Sequence, residues 1–540
     1  NLISVTFAVL FVGLGVDFGI HLCLRYREGV ACLGSHAEAL GNAVRTVARP
    51  LSLSAICAGL GFIAFVPTDY RGLAELGIIS ATGMAVAWTA SLVLLPALLQ
   101  LMPLRAERRE SKVHTAGPAW IERHASTILG ITVIAAVCLV PMLPRVSFDF
   151  NPLNLKDPSS ESVATFLELE RNPDMATNII SLLAEDLQEA ERAATALRST
   201  NGIGEVITLS NFVPDDQAEK LDLVDQMAFF LGSLAPSTDA SIDDRGREDA
   251  FEQLLTALEQ ANLGAQSGGS ELLQSLNAFA AETGGPAPPA LLDLEERLTR
   301  HLPRLLTRLD RALSPDEITL ESLPVGLRKD WINDDGQVKV MARPAIGIHD
   351  NRALQRFADA ALEAAPNATG TPIIITEAGR VVVGAFIEAS VIAFSLITLV
   401  LIVVLRRFVD VVLVLAPLAL AILFTAGSSV FLGLKLNFAN VIVLPLLLGL
   451  GVSGAIHVVM RRRVMQAEDA PPGLASTPRA VLFSALTTVA SFGSLAISPH
   501  PGMASMGLLL TVAILWSLVC TLVILPALFA LIEPFRSTAP

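Results

Sequence analysis

The chain has 540 residues, of which 52% are hydrophobic and 17% are charged, and its mean hydropathy is +0.57. This balance is typical of a membrane protein and excludes an ordinary soluble globular protein. The formal net charge of −14 argues against a nucleic-acid partner, because nucleic acids attract basic surfaces.

Nine apolar segments are long enough to cross a hydrocarbon core about 30 Å thick, which takes about 20 helical residues. In chain order, the predicted spans are A (1–24), B (47–66), C (73–101), D (125–143), E (381–405), F (409–432), G (437–460), H (479–497) and I (503–532). The segments between them are a predicted cytoplasmic linker at 102–124, an outer domain at 144–380 and a cytoplasmic tail at 533–540. We therefore predict three spans within 1–101, one at 125–143 and five within 381–532.

Span A contains a carboxyl group, Asp17, within apolar sequence. An ionisable residue in a membrane span costs about 2.5–3.5 kcal/mol or more, and it is by default a candidate functional residue. A low-dielectric surrounding disfavours a charged carboxylate, which lets the group bind and release a proton near neutral pH. We predict that Asp17 carries protons; the alternative is an acid that pairs with a base on a neighbouring span.

Part of span A is repeated late in the chain. Residues Gly13–His21 recur as Gly449–His457, and Ser91–Leu99 recur as Thr521–Phe529. Two three-helix blocks in the same order predict a parallel repeat about an axis along the membrane normal, as in some secondary transporters. Because small residues allow close helix packing, we expect the glycine-rich spans A and G to pack on each other.

The repeat also bears on what precedes the chain. Asn1 aligns with Asn437, the residue that opens span G. By symmetry we expect about 300 residues, comprising three spans and a soluble domain, to precede Asn1. The chain is then expected to be the C-terminal part of a protein with about twelve spans.

Basic residues indicate the orientation of the spans. If the spans alternate, one side of the membrane receives Arg25, Arg27, Arg45, Arg49, Arg105, Arg108, Arg109, Lys112, Arg406, Arg407, Arg461, Arg462 and Arg463. The positive-inside rule assigns that side to the cytoplasm. The outer domain is then predicted on the opposite side.

The outer domain is acidic and is predicted to be α+β. Residues 145–380 hold 39 acidic and 20 basic side chains, a net charge of −19, and none of the five cysteines. Two βαβ units are predicted, with strand, helix and strand at 175–183, 187–198 and 202–209, and at 337–342, 352–363 and 372–376. Between them, 216–314 is helical in pattern. Apolar stretches such as Met227–Leu234 are expected to face inward, as plain packing or as the lining of a lipid-sized cavity.

Polar side chains in other spans are candidates for a proton relay with Asp17. On one face of span H, spacings of three, four and seven residues align the hydroxyl groups of Ser484, Thr487, Thr488 and Ser491. We predict that these hydroxyls, with Ser453 at the position that matches Asp17, hydrogen-bond the carboxyl group directly or through water. The alternative is that each hydroxyl bonds a carbonyl of its own helix.

Two histidines follow the repeated glycine motif. His21 and His457 lie four residues after Asp17 and Ser453, on the same helix face and one turn toward the cytoplasm. A histidine at that depth is able to pass protons between Asp17 and the cytoplasm. The alternative is an interfacial histidine that caps a helix end or lines a wet crevice.

Other chemistry is not indicated by the sequence. No cluster with metal-ligand spacing, no phosphate-binding loop and no catalytic triad occurs in the chain. We therefore predict no metal, no cofactor and no catalytic residue, and ATP-driven transport is unsupported within this chain. The chain is not expected to be an enzyme.

The acid of span A, the paired glycine-rich spans and the βαβ-containing outer domain resemble the resistance–nodulation–division (RND) superfamily over the whole chain. The resemblance implies a mainly α membrane protein, with an RND-type bundle built from a parallel repeat and an α+β periplasmic domain with a helical insertion. It places the family's essential acid on Asp17 and its eleventh-helix threonine on Thr487 or Thr488. The tenth-helix partner, often a lysine or an acid, falls on Ser453.

Further stretches narrow the resemblance. Residues 148–160 and 203–215 resemble the hopanoid-transporting branch, and Asp17-Phe18 is similar to the mycobacterial large membrane proteins (MMPL) that export lipids. The resemblance implies proton-driven export of hopanoids or other apolar lipids from the bacterial inner membrane toward the outer membrane, by a homodimer. Two alternatives remain: an RND multidrug efflux pump, and a lipid sensor or scaffold of the sterol-sensing type.

Overall fold

The computed structural model describes residues 2–33, 35–103, 119–170, 178–232, 242–260, 269–282, 288–345, 348, 350–465 and 476–532. The predicted tail, most of the predicted linker and residues 175–177 of the first predicted strand lie outside this part. Two compact units form, one of Asn1–Leu183, Arg192–Val206 and Met341–Pro540, and one of Ala184–Glu191 and Ile207–Val340.

The elements follow in chain order. The first helices are α1 (Leu2–Leu33), α2 (His36–Ile63), α3 (Arg71–Thr89), α4 (Leu95–Leu101), α5 (Ala119–Arg123) and α6 (Ala125–Leu139). Next come β1 (Phe148–Asp149), α7 (Glu161–Glu170), β2 (Ile180–Ala184), α8 (Leu187–Arg198), β3 (Ile203–Ile207), α9 (Gln217–Leu231), α10 (Asp244–Gln260), α11 (Gly269–Glu282), α12 (Pro288–Thr299), α13 (Leu302–Ala312), α14 (Val325–Trp331), β4 (Val338–Pro344), α15 (Asn351–Ala364) and β5 (Thr369–Gly370). The last are α16 (Thr371–Leu405), α17 (Phe408–Phe431), β6 (Leu436–Asn437), α18 (Val443–Met465), α19 (Thr477–Leu495), α20 (Pro501–Val519) and α21 (Leu525–Ile532).

The chain is a multi-pass membrane protein. Among the described residues, the helices long and apolar enough to cross a membrane are His36–Ile63, Arg71–Leu101, Ala125–Arg145, Thr371–Leu405, Phe408–Phe431, Val443–Met465 and Pro501–Ile532. They coincide with predicted spans B, C, D, E, F, G and I. Spans A and H are also helical, as α1 and α19, and they stay predicted spans; the hydroxyl groups and Arg479 of α19 lower its hydropathy.

Helices of the two repeats pack on each other. A Cβ added to Gly13 of α1 would lie 3.3 Å from Ser491 Cβ of α19, and one added to Gly449 of α18 would lie 3.3 Å from Ala58 Cα of α2. The first helix of each repeat therefore packs on the second helix of the other. The expected glycine packing of span A on span G is wrong, since the atoms nearest to these glycines belong to other helices. Helical periodicity shows which residues share a face, but not which helix covers it.

A second contact is duplicated within the repeats. A Cβ added to Gly77 of α3 would lie 2.5 Å from the carbonyl oxygen of Phe62, and one added to Gly507 of α20 would lie 2.6 Å from that of Phe492. Both glycines allow the third helix of a repeat to approach the backbone of the second, which small residues permit in membrane bundles. This duplicated geometry agrees with the predicted parallel repeat.

Both third helices also contain a π-helical turn, at Ala90–Leu94 and at Cys520–Ile524. The turns precede Pro96 and Pro526, which lack an N–H group and whose rings crowd the carbonyl group four residues earlier. The N–H of Leu95 bonds the carbonyl of Ala90, five residues back, and this wider turn accommodates the proline without breaking the helix.

The short strands form two sheets. β1 pairs in parallel with β6, through Phe148 with Leu436 and Asp149 with Asn437. A four-stranded sheet has the order β3-β4-β2-β5, in which β2 and β5 are antiparallel. The predicted strand at 372–376 is wrong. Pro372 lies in the first turn of α16, a position that suits its fixed φ and missing N–H, so the isoleucines that follow are helical.

The predicted helical pattern of 216–314 is present as α9–α13, but its predicted inward face is not. Phe229 and Phe230 are each 85% exposed, and no side chain of α9 is buried. The core of this unit lies instead between α10, α11 and α12, where Phe251, Leu276 and Leu291 pack together. Among the described residues, nothing covers the apolar part of α9, so Met227–Leu231 does not face inward. Gly232 is exposed too. Residues 233 and 234 of the predicted stretch lie outside the described part.

The glycine contacts give a stability prediction. Gly77→Ala and Gly507→Ala should each lower the free energy of unfolding by about 1–3 kcal/mol, because a methyl group would overlap a backbone carbonyl. Thermal denaturation of the detergent-solubilised protein measures the effect. Gly59→Ala is the matched control, since a Cβ on Gly59 meets no atom within 4 Å. Equal melting temperatures for all three variants would contradict the close approach.

Candidate functional site

A cavity lies within the membrane bundle where both repeats meet. Its polar lining consists of Asp17, His21, Ser54, Ser453, Ser484, Thr488, Ser517 and Thr521. Apolar side chains, including Phe18, Met84 and Leu510, complete the wall. An ionisable group in an apolar cavity with several polar side chains around it is a common arrangement of binding and proton-transfer sites.

Asp17 is the acidic group of this cavity. Its side chain is 15% exposed, and its Oδ1 lies 3.5 Å from Nε2 of His21, one helical turn along α1. The same Oδ1 has no hydrogen-bond partner in the described part of the chain. A carboxylate oxygen without a hydrogen-bond donor is costly in a low-dielectric interior.

The hydroxyl groups of α19 separate into two sets. Thr488 is buried and lines the cavity with Ser484, whereas Thr487 is exposed and lies outside the lining. Ser491 also lies outside the lining, against Gly13. Of the predicted residues, the structure therefore brings Ser484 and Thr488 to the acid, and it does not bring Thr487 and Ser491 there.

The hydrogen bonds of the threonines limit their role. The hydroxyls of Thr487 and Thr488 both donate to the carbonyl of Ser484, each at 2.8 Å, which is the helix-internal bonding that the sequence left open. Because its proton is engaged, Thr488 can only accept a second hydrogen bond through its lone pairs. It therefore suits a protonated carboxyl group, or a water molecule, as the donor.

Ser453 stands where the second repeat would carry an acid. Its hydroxyl group is buried without a hydrogen-bond partner among the described residues, and so is that of Ser54. The duplicated positions thus hold an acid in one repeat and a hydroxyl in the other. His457 lies just outside the cavity lining, with its ring stacked on His21 at a centroid distance of 3.8 Å.

A charged cluster lies one turn beyond the histidines, and the sequence did not single it out as a site. Arg25 is 5% exposed; its Nη1 lies 3.1 Å from Glu28 Oε2, and its Nε donates to Thr46 Oγ1 at 3.3 Å. The hydroxyl of Ser476 donates to the same Glu28 oxygen at 2.5 Å. The repeat could have indicated this cluster, because Arg25 and Arg461 follow His21 and His457 by four residues each, on the same helix faces. Ser517 and Thr521 also line the cavity, but no feature of the sequence indicated this.

Comparison with known proteins settles the family. The model of the MMPL family matches residues 1–130 and 342–540. The chain belongs to the MMPL family. The expected kinship with RND transporters and with mycobacterial MMPL proteins is thereby confirmed.

Relatives extend the match over the outer domain. The chain is 38% identical over 532 residues to "Hopanoid transporter HpnN" of Rhodopseudomonas palustris (strain TIE-1), and 38% identical over 538 residues to its namesake in Burkholderia multivorans (strain ATCC 17616 / 249). Each match covers 98% of this chain and 61% of the relative, so the chain spans less than two thirds of their length. The probable transport protein MmpL10 of Mycobacterium leprae (strain TN) is 27% identical over 183 residues, which are 32% of this chain and 18% of that protein.

A solved structure shares the fold. The crystal structure of SecDF from Thermus thermophilus superposes with a TM-score of 0.50 at 12% identity, over 99% of this chain and 55% of that one. At this identity the likeness concerns the fold alone. It supports the mainly α membrane architecture expected from the resemblance.

The charged cluster of this MMPL-family chain gives a prediction. Glu28→Gln should lower the free energy of unfolding by about 3–5 kcal/mol, because it leaves the buried Arg25 without its counter-charge. Glu377→Gln is the matched control: Glu377 and Arg380 have the same spacing of three residues, but both are exposed. An exposed pair contributes about 0–1 kcal/mol. Thermal denaturation in detergent compares the two, and equal shifts would contradict a buried ion pair.

Proposed function

We propose that this chain is part of a proton-driven exporter of apolar lipids, with hopanoids as the cargo, that works from the bacterial inner membrane toward the outer membrane. The homodimer and the periplasmic position of the outer domain belong to the same proposal. The observation that carries it is the acid of the cavity, Asp17. This side chain lies where the two repeats meet, in a cavity that is also lined by hydroxyl groups of the second repeat.

The cavity supports proton coupling through its chemistry. In this proposal Asp17 exchanges a proton with His21, 3.5 Å away, and Thr488, which lines the same cavity, accepts a hydrogen bond from the protonated acid or from water. Loss of the charge removes the cost of a carboxylate in the membrane interior, so the protonated and ionised forms favour different surroundings. A difference of this kind is what allows a proton to bias a transport cycle.

The cargo is supported by two independent features. Relatives at 38% identity over nearly the whole chain carry the name of hopanoid transporters. Residues 145–380 carry a net charge of −19, which disfavours anionic lipid headgroups. A large uncharged lipid fits both features.

Orientation is proposed from the basic residues. Arg25, Arg461 and Arg463 lie near one end of α1 and α18, and basic residues near span ends favour the cytoplasmic side. The opposite end of α18 leads back to β6, which pairs with β1 at the start of the outer domain. The outer domain is then periplasmic.

The acid is tested by replacement at its own position. Asp17→Asn should reduce hopanoid export to background, because asparagine keeps the shape of the side chain but carries no proton. Export is measured as the hopanoid content of the outer membrane in a strain that lacks the native gene and expresses the variant at full natural length. Asp17→Glu, which restores a carboxyl group, should retain part of the activity.

Equal expression and equal melting temperature of the Asp17 variants serve as the control for folding. Normal hopanoid export by Asp17→Asn would contradict proton transport through this acid. A hopanoid content of the outer membrane that does not depend on the protein at all would favour a lipid sensor or scaffold instead.

The hydroxyl groups of α19 offer a test on neighbouring residues. Thr488→Val should slow export by up to about tenfold, because a hydrogen bond accepted from a neutral carboxyl group or from water contributes about 0.5–1.5 kcal/mol. Thr487→Val removes the same bond to the Ser484 carbonyl but lies outside the cavity lining, so its rate should stay within about twofold of wild type. The same export assay compares them. Equal losses would indicate that these hydroxyls matter for the helix and not for the acid.

A further inference from the structure

A stack of two imidazole rings joins the repeats beside the cavity. The centroids of the His21 and His457 rings are 3.8 Å apart, and the ring planes are inclined by 10°. Each side chain is 5% exposed. Nε2 of His21 faces the Asp17 carboxyl group, whereas Nε2 of His457 is buried without a hydrogen-bond partner among the described residues. One ring is thus within reach of an acid, and the other has an unused polar atom.

The charges around the stack balance when both rings are neutral. The cavity acid lies on one side. On the other side are Arg25 and Arg461, with Glu28 paired to Arg25. The groups that contact this cluster from α2 and from the residue before α19, Thr46 and Ser476, are uncharged, whereas Arg45, Arg49 and Arg479 of these helices are exposed. Two acids then offset two arginines, and each proton added to the cluster leaves one unit of positive charge.

We propose that the stacked His21–His457 pair is a proton site shared by the two repeats, which takes the proton released by Asp17 and holds one proton at a time. The inference rests on the proposed proton-driven function. Two imidazolium rings in face-to-face contact would repel strongly in a low-dielectric interior with two arginines nearby, so the pair titrates as a unit. A single imidazolium at His21 is stabilised by the Asp17 carboxylate that the proton leaves behind.

The transfer is a simple exchange of one proton. The O–H bond of the Asp17 carboxyl group breaks and an N–H bond forms at Nε2 of His21, which yields a carboxylate and an imidazolium in contact. His457 receives no proton through the ring faces; its role is to limit the pair to one charge. Because each repeat supplies one ring, a displacement of α1 against α18 changes how well the pair holds that proton.

Plain aromatic packing is the alternative, and phenylalanine distinguishes it from proton binding. Phenylalanine keeps a flat ring that can stack, but it has no nitrogen to titrate. The variants are His21→Phe, His457→Phe and the double variant, in the complete protein reconstituted in liposomes with a hopanoid and an imposed proton gradient. His124→Phe is the control, since His124 is exposed, contacts the Trp120 carbonyl and does not line the cavity.

Lipid transport is measured as a function of pH on the side of the arginines. His21→Phe should lose about tenfold or more, as expected when a proton-transfer group is removed. Its remaining rate should no longer depend on pH between about 5 and 8, the range in which histidine titrates. His457→Phe keeps the proton acceptor His21 but removes the nitrogens of the second ring, so its pH profile should be shifted from that of wild type and not lost. The double variant should be no slower than the slower single variant, because the pair acts as one unit. His124→Phe should match wild type in rate and pH profile.

Several results would overturn the inference. One is a single phenylalanine variant with the rate and pH profile of wild type while Asp17→Asn is inactive; the proposed function would then stand without the histidine pair. Another is a double variant whose loss is the product of the single losses. If the wild-type protein moves lipid without a proton gradient, or if Asp17→Asn is fully active, the proposed function and this inference both fail.

A measurement on the unaltered protein covers the case in which the phenylalanine variants do not fold. Nitrogen-15 spectra of histidine-labelled wild type should show that one ring of the pair takes up a proton while its neighbour stays neutral. Both rings charged together, or both neutral throughout the titration of the exposed histidines, would overturn the shared site.

Discussion

The antiparallel contact between α1 and α19 fixes the position of Asp17, and the chemistry of the bundle depends on it. Gly13 meets Ser491 at one end of this contact, and Glu28 accepts a hydrogen bond from Ser476 at the other. Gly13 and Glu28 are fifteen residues apart along the chain, and so are Ser476 and Ser491. The two segments therefore run in register over about 22 Å. Thr488 and Ser484 therefore lie beside the acid in the same cavity.

The duplication preserves packing but not chemistry. Gly13 and Gly449 make equivalent close approaches, and the π-helical turns and the glycine–carbonyl contacts of the third helices recur in both halves. Ser453, however, replaces the acid in the second repeat, and Ala58 replaces Thr488 in the first. A second acid would add another costly group to the same apolar surroundings without a second partner to bond it. The asymmetry therefore concentrates one ionisable acid and its hydrogen-bonding groups at one place.

Much of this arrangement was predictable from the sequence, because it depends on local periodicity and on the repeat. Asp17 stood out by its apolar surroundings, and the histidines and the hydroxyls of α19 by helical spacing. The partners of each face were not predictable. Gly13 of α1 packs on α19 and not on α18, and of the predicted hydroxyls on α19 only Ser484 and Thr488 line the cavity. The isoleucines after Pro372 suit a strand, yet they continue a membrane helix, in which each backbone group finds its partner within the segment.

Two kinds of contact hold the repeats together, and they respond differently to a proton. The glycine contacts of α1 with α19, and of α18 with α2, bring backbones close and contain no titratable atom. Where α1 and α18 meet, the contact consists of side chains, with the rings of His21 and His457 at its centre. One added charge changes the energy of a ring stack greatly but hardly affects a backbone contact. Under the proposed function, a proton taken up by the histidines would act on the side-chain contact between α1 and α18 and would leave the glycine contacts of α1 with α19 and of α18 with α2 in place.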